Sequence, residues 1–259
     1  MTADETKTGG TLLRIAGVSH RFGGLEVLRG VSFDVPRGSL TALIGPNGAG
    51  KSTLFNIVSG FLPPQQGVVQ FDGRDITKDS VQARSRAGLM RTFQTPQVFR
   101  NLTVRENLMM GDYRHLASGI AANMLRLRGS REEMDRLRTK AQEACERFGL
   151  QEVIDRPAGQ VPAGLQRWVE LARAWIGGPR LLLLDEPSSG LNTAEIAQLR
   201  LALERLNREG MTILLVSHDM GLVDVAQRVH VLCFGSIIAS GAMQELQRDE
   251  RVRQAYLGV

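Results

Sequence analysis

Cysteine is scarce: Cys145 and Cys233 are the only two in 259 residues. Neither has a neighbouring cysteine or a metal-ligand spacing, so they read as buried or idle thiols with no redox or metal chemistry assigned. Long apolar runs are missing as well. The longest stretches without a formal charge, such as "VHVLCFGSIIASGAMQ" at 229–244, fall short of the ~18 to 20 apolar residues a membrane span needs and carry Gly and Ser. No transmembrane helix is expected. The start, "MTADETKTGG", is polar and lacks the apolar core of a secretory signal, which predicts a short disordered lead over 1–10 and a cytoplasmic protein. Aromatics make up 5% of the chain, and none interleaves with its basic stretch as in single-strand nucleic-acid binders, so no nucleic-acid partner is expected.

Positive charge is present but diffuse, with a formal net charge of +5. Its densest stretch is 114–140, where Arg114, Arg126, Arg128, Arg131, Arg136, Arg138 and Lys140 outnumber Glu132, Glu133 and Asp135. This reads as a solvated helical face. A content of 42% hydrophobic residues suffices for a sizeable core in a single cassette spanning 11–259. Alternating "TLLRIAGVSHRF" and "LEVLRGVSFDV" predict an antiparallel pair of strands, and "LTALI" a short buried strand. Residues from about 103 to 177 take on helical periodicity; from Arg180 strands and helices alternate again, with a terminal helix over about 243–259. The expected fold class is α/β: an antiparallel β subdomain, a parallel-sheet core covered on both faces, and a helical subdomain.

"GPNGAGKST" comprises Gly45, Pro46, Asn47, Gly48, Ala49, Gly50, Lys51, Ser52 and Thr53 and fits G-x-x-x-x-G-K-[ST]. An apolar strand precedes it and a helix follows, the context in which backbone N–H groups and a helix N-terminus cradle phosphate. Lys51 supplies a point charge to the β and γ phosphates, and Ser52 a hard oxygen for Mg²⁺. "LLLLDEP" delivers Asp185 and Glu186 to the carboxyl end of a buried strand, where ligands of open α/β sheets bind. Asp185 is read as a Mg²⁺ residue acting mostly through water and Glu186 as general base for the attacking water, although two acids ending a strand can also be merely solvated. "TILLVSHD" sets His218 at the end of another strand as a sensor of the γ-phosphate.

Together with "RTFQTP", which contains Gln94, and "SSGLN", these segments resemble in order and spacing the motifs of ATP-binding cassette ATPases over residues 12–259. The resemblance implies ATP and Mg²⁺ as cofactors. It implies adenine stacking on Phe22, whose competing reading is an apolar strand-end residue in the core. It also implies a Gln94 that approaches Mg²⁺ and links the nucleotide to the helical subdomain, and transmembrane permease subunits as partners at the cytoplasmic face of the inner membrane. "LMRTFQTPQVFRNLTVRENLMMG", "EPSSGLN", "VSHDMGLV" and "RVRQAYLG" are similar to the ATPase subunits of branched-chain amino-acid uptake transporters, a group that includes urea and other amide importers. In such systems a periplasmic solute-binding protein selects the solute.

One segment departs from the family pattern. "VPAGLQR" at 161–167 stands where the family has L-S-G-G-Q-Q-R, the signature that one cassette presents to ATP held by a second, so that only Gly164, Gln166 and Arg167 match. Pro162 lacks both a hydroxyl and a backbone N–H, while Ala163 is small enough for close approach and the following helix is expected to persist. An asymmetric pair with a different ATP-binding subunit accounts for this, as does drift with compensation. A soluble cassette protein acting in DNA repair or translation would carry paired cassettes or long coiled-coil insertions. A regulatory subunit without turnover is opposed by Glu186 and His218.

Overall fold

The computed structural model describes residues 10–115 and 128–257. Residues 1–9 of the expected lead and part of the basic stretch lie outside them. Two compact units emerge, one formed by residues up to Arg91 and from Arg180 onward, the other by Thr92–Pro179.

In the first unit, Thr11–Phe22 (β1) and Leu25–Pro36 (β2) pair antiparallel as their alternation predicts. Gln66–Phe71 (β4) joins the other edge of β1, and the two-residue β5 (Arg74–Asp75) completes a sheet in the order β2-β1-β4-β5. Leu13, Ile15, Val18, Val31 and Val69 point into a common core. The second sheet contains Leu40–Ile44 (β3), Leu89–Arg91 (β6), Leu181–Asp185 (β7), Thr212–Val216 (β8), Arg228–Cys233 (β9) and Ser236–Gly241 (β10), in the order β10-β9-β3-β8-β7-β6. All but β10 run parallel. Every residue of β3, β7 and β8 is buried, the mark of strands covered on both faces.

The register of this sheet decides where chemistry can occur. Leu43 and Asp185 both pair with Val216, so β8 and β7 end level and β3 runs one residue further, to Ile44. Gly45, His218 and Glu186 follow those three ends and are thereby brought to one edge.

Lys51–Ser59 forms the helix after the glycine loop (α1), closed at Gly60 in the left-handed region. Its C-terminal carbonyls meet a guanidinium. Arg84, on the short helix Val81–Arg86 (α2) and fully buried, donates from Nη1 to Ile57 O and Val58 O at 2.7 Å each, from Nη2 to Thr77 O at 3.0 Å and from Nε to Asp79 O at 3.1 Å. A cation there complements the negative end of the helix. Burial pushes its pKa down, against the charges of Asp79 and Asp75.

The second unit is helical. Val104–Met109 (α3) starts on a reciprocal capping box between Thr103 and Glu106. Arg128–Arg147 (α4) and Ala163–Ile176 (α5) bury Leu137, Ala141, Ala144, Val169, Leu171 and Ala172. Along α4, Arg136 and Arg138 are exposed, whereas Lys140 pairs with the buried Asp112 at 2.5 Å. Both cysteines are buried.

Three elements differ from expectation. The three-residue β6 is too short to show alternation, yet it adds an edge strand. β9 and β10 form a hairpin within a segment notable in the sequence only for lacking charge. The terminal helix is broken into Met243–Leu246 (α8) and Glu250–Leu257 (α9), after the four-residue Met220–Val223 (α7) and the long Thr193–Arg208 (α6). The break sits at Asp249, whose carboxylate accepts from Arg251 N at 2.9 Å and starts a new turn.

Arg84→Met should lower the unfolding free energy by about 3 kcal/mol, because two buried and two half-buried carbonyls lose a charged donor. Urea titration checks this; a change below about 0.5 kcal/mol, the range of ordinary surface substitutions, would count against it.

Candidate functional site

The loop between β3 and α1 is shaped by close approaches. A Cβ on Gly45 would lie 2.0 Å from Leu232 O, and one on Gly50 would lie 2.8 Å from Leu28 Cδ2 and 2.9 Å from Val27 O. Gly50 also takes φ 107° at the N-cap of α1, a conformation that side chains strain. Pro46 opens a turn closed by Ala49 N donating to Pro46 O at 3.2 Å; Asn47 and Gly48 stand exposed at its tip, and Ala49 is buried. Lys51 Nζ folds back into the loop and donates to Gly45 O at 2.7 Å and Pro46 O at 3.0 Å. Burial pushes the Lys51 pKa down, while the nearby charges of Glu186 and Asp185 oppose that shift. Ser52 is exposed at the start of α1, and Thr53 is half-buried beside it.

Glu186 and His218 are in contact. Oε2 of Glu186 lies 2.8 Å from His218 Nδ1, and the backbone N of His218 donates to the same oxygen at 3.3 Å. The imidazole is exposed, whereas the Glu186 carboxylate is largely covered. Glu186 also holds φ 46°, left-handed backbone that costs of order 1–3 kcal/mol and marks functional sites when it persists. Glu186 N donates to Val216 O at 2.9 Å and so fixes the turn. Next to it, "SSGLN" runs from the buried Ser188 into Asn192, which caps α6 in a box with Glu195.

Asp185 is buried at the end of β7 and takes a partner that sequence reasoning missed. Its Oδ2 accepts from Arg91 Nη2 at 2.7 Å. Phe22 is 52% exposed at the end of β1, with its ring edge-on to His20 at 4.6 Å, so the core reading of this aromatic does not hold.

In the helical unit, Gln94 is exposed in a loop whose main chain is gripped by α5. Arg167 donates to Phe93 O and Gln94 O; Glu170 Oε1 accepts from Gln97 N at 3.1 Å and Phe93 N at 3.3 Å; Arg173 donates to Gln97 O. Arg167 and Glu170 also pair at 3.1 Å and are both buried. Burial pushes the Glu170 carboxyl up, opposed by the amide of Gln97 and then by the Arg167 charge. The sole hint in the sequence is the i, i+3, i+6 spacing of these residues, which puts them along one side of a helix. Pro162 occupies the N-cap of α5 rather than its first turn, with φ −54° and ψ 151°, and no side chain caps the helix. The turn closes through Gln166 N to Pro162 O at 3.0 Å and Gln166 Nε2 to Val161 O at 2.9 Å. Pro162 and Ala163 are exposed and Gly164 and Leu165 half-buried, so the helix and its positive end form without the hydroxyl.

Residues 28–189 match the family described as "ABC transporter", and residues 236–259 match that described as "Branched-chain amino acid ATP-binding cassette transporter". The chain is 37% identical over 249 residues to the high-affinity branched-chain amino acid transport ATP-binding protein LivG of Salmonella typhimurium, covering 95% of this chain and 98% of that protein. It is 35% identical, at the same coverage, to BraF of Pseudomonas aeruginosa, which carries the same description. Among solved structures, a nucleotide-free ATP-binding cassette from an ABC transporter superposes with TM-score 0.82 at 32% identity, over 96% of this chain and 100% of that one. The ADP conformation of an ATP-binding cassette of an ABC transporter gives 0.82 at 31% identity, over 96% and 99%. With the glycine loop, Asp185, Glu186 and His218 on adjacent parallel strands of an ABC-type fold, the chain belongs to the ABC transporter family as one of its ATP-binding, ATP-hydrolysing cassettes.

Proposed function

We propose that this chain hydrolyses Mg²⁺-bound ATP to drive an importer of branched-chain amino acids. The observation that carries the hydrolytic part is the Glu186–His218 contact beside Lys51, on level strand ends. The substrate class follows the likeness to the LivG and BraF proteins and the match over 236–259.

Each residue then has a task. Backbone amides of 45–50 and the α1 N-terminus cradle the phosphates, and Lys51 exchanges its loop carbonyls for phosphate oxygens. Phe22, exposed, offers its ring to adenine. Glu186 takes the proton of the attacking water, and His218 orients that carboxylate and reaches the γ-phosphate from its exposed side. Ser52 and Asp185 supply a hydroxyl and a carboxylate, and Gln94 an amide oxygen. No group of three or more His, Cys, Asp or Glu suited to a metal occurs among the described residues. That sparse, oxygen-only donor set fits Mg²⁺, which keeps waters and leans on substrate phosphates. Held by Ser52, Asp185 and Gln94, the ion would supply positive charge that offsets that of the phosphates.

Among the described residues no helix is long and apolar enough to cross a membrane, so the solute path belongs to transmembrane permease subunits, with a periplasmic solute-binding protein upstream of them. Pro162, Ala163 and Gly164 face the ATP of a second cassette. A lost hydrogen bond to charged phosphate is worth about 1.5–3 kcal/mol, or roughly ten- to a hundredfold in affinity. We therefore assign this chain to a pair with a different ATP-binding subunit, whose signature completes the Lys51–Glu186–His218 site.

In the assembled transporter, Glu186→Gln should cut phosphate release by about a hundredfold or more, the scale of a lost general base, and leave equilibrium ATP binding intact. Turnover within threefold of wild type would remove Glu186 from that role. For the purified chain alone, Pro162→Ser should raise steady-state hydrolysis by about tenfold, with a steep dependence on protein concentration, as a hydroxyl and an N–H return to the signature. Equal rates for both proteins across concentration would show that Pro162 is tolerated and that two copies suffice.

A further inference from the structure

Arg91 ends β6, and its guanidinium does three things at once. Nη2 donates to Asp185 Oδ2 at 2.7 Å. Nη1 donates to Asn56 Oδ1 and Ser59 Oγ, both at 2.8 Å and both on α1. Its planar group lies 5.8 Å from the Phe55 ring centroid and 5.7 Å from that of Phe61. The side chains of Arg91 and Asp185 are 7% and 9% exposed, so neither can exchange this partner cheaply for water.

We propose that Arg91 is a positioning residue for the metal-facing carboxylate. It clamps one oxygen of Asp185, leaves the other for Mg²⁺ or its water, and ties that carboxylate to the helix that carries Lys51 and Ser52. Geometry argues for a locator rather than a counter-charge alone. Two acceptors on α1 and two aromatic faces fix the plane of the guanidinium, and a planar donor group held in that way fixes the carboxylate it grips. With the clamp gone, the Asp185 carboxylate would lose its 2.7 Å guanidinium partner and with it the contact that fixes its orientation. The inference rests on the reading of Asp185 as the Mg²⁺ residue.

The test is equilibrium binding of a fluorescent ATP analogue with Mg²⁺ and with EDTA, for wild type, Arg91→Met, Arg91→Lys, Asp185→Asn and the Arg91→Met/Asp185→Asn double variant, with thermal melts as a check on folding. The readout is the gain in affinity that Mg²⁺ confers. Arg91→Met should shrink that gain about tenfold, the low end of what partners of metal ligands are worth, and leave binding in EDTA within about twofold. Arg91→Lys, which keeps the charge but cannot donate in a plane, should recover only part of the loss. In the Asp185→Asn background Arg91→Met should cost nothing further. A folded Arg91→Met with the full Mg²⁺ gain, where Asp185→Asn loses it, would overturn the positioning role alone. An Asp185→Asn variant that keeps the gain would overturn the metal reading and this inference with it. If Arg91→Met does not fold, Arg91→Lys decides: a full Mg²⁺ gain overturns the proposal and a partial one supports it.

Discussion

Leu43, Val216 and Asp185 sit side by side at the carboxyl ends of three strands that expose almost nothing to solvent. A slip of register by one residue would move every side chain to the opposite face, where it would have to repack at close-packed density, and would shift Asp185 from its place at the strand end, so it is expensive. The alignment of these ends is therefore as well determined as the core itself. From it follow the placing of the glycine loop, the strained turn at Glu186 and the reach of His218. Weakly packed loops could not hold a carboxylate 2.8 Å from an imidazole without such a frame.

What could be read from the sequence follows from how local the physics is. A glycine loop, a helix start and a run of strand leucines are each specified by neighbouring residues, so Gly45–Thr53, "LLLLDEP" and "VSHD" declare themselves in one dimension. The exposure of Phe22 and the N-cap position of Pro162 were less legible: the sequence left a core place open for the aromatic, and a proline at the start of a helix can stand at the cap or in the first turn. The partners of Arg84, Arg91, Arg167 and Arg173 were not legible. An arginine in a string says nothing about which carbonyl or carboxylate its long side chain will meet, and these four find partners as far as 94 positions away. The three-residue β6 was hidden by brevity, and the split terminal helix by an Asp249 that could equally have stayed in solvent.

The buried arginines share a design. Each spreads its donors over acceptors on segments other than its own. Arg84 closes α1, Arg91 joins α1 to β7, and Arg167 joins α5 to the loop at 93–97. A guanidinium has five donors in one plane, so it can join elements that apolar packing alone would leave free to slide. Hydrophobic burial sets the stability of this chain, and these polar joints set its alignment.

The grip of α5 on residues 93–97 has a mechanical meaning. A loop held by five main-chain hydrogen bonds to Arg167, Glu170 and Arg173 is stiffly tied to the helix that carries them. Pushing on it translates the whole helix, as pushing the short arm of a crank turns the shaft. Pro162 caps the N-terminal end of that shaft, so the residue that departs most from the family pattern is carried by the same helix that grips the loop.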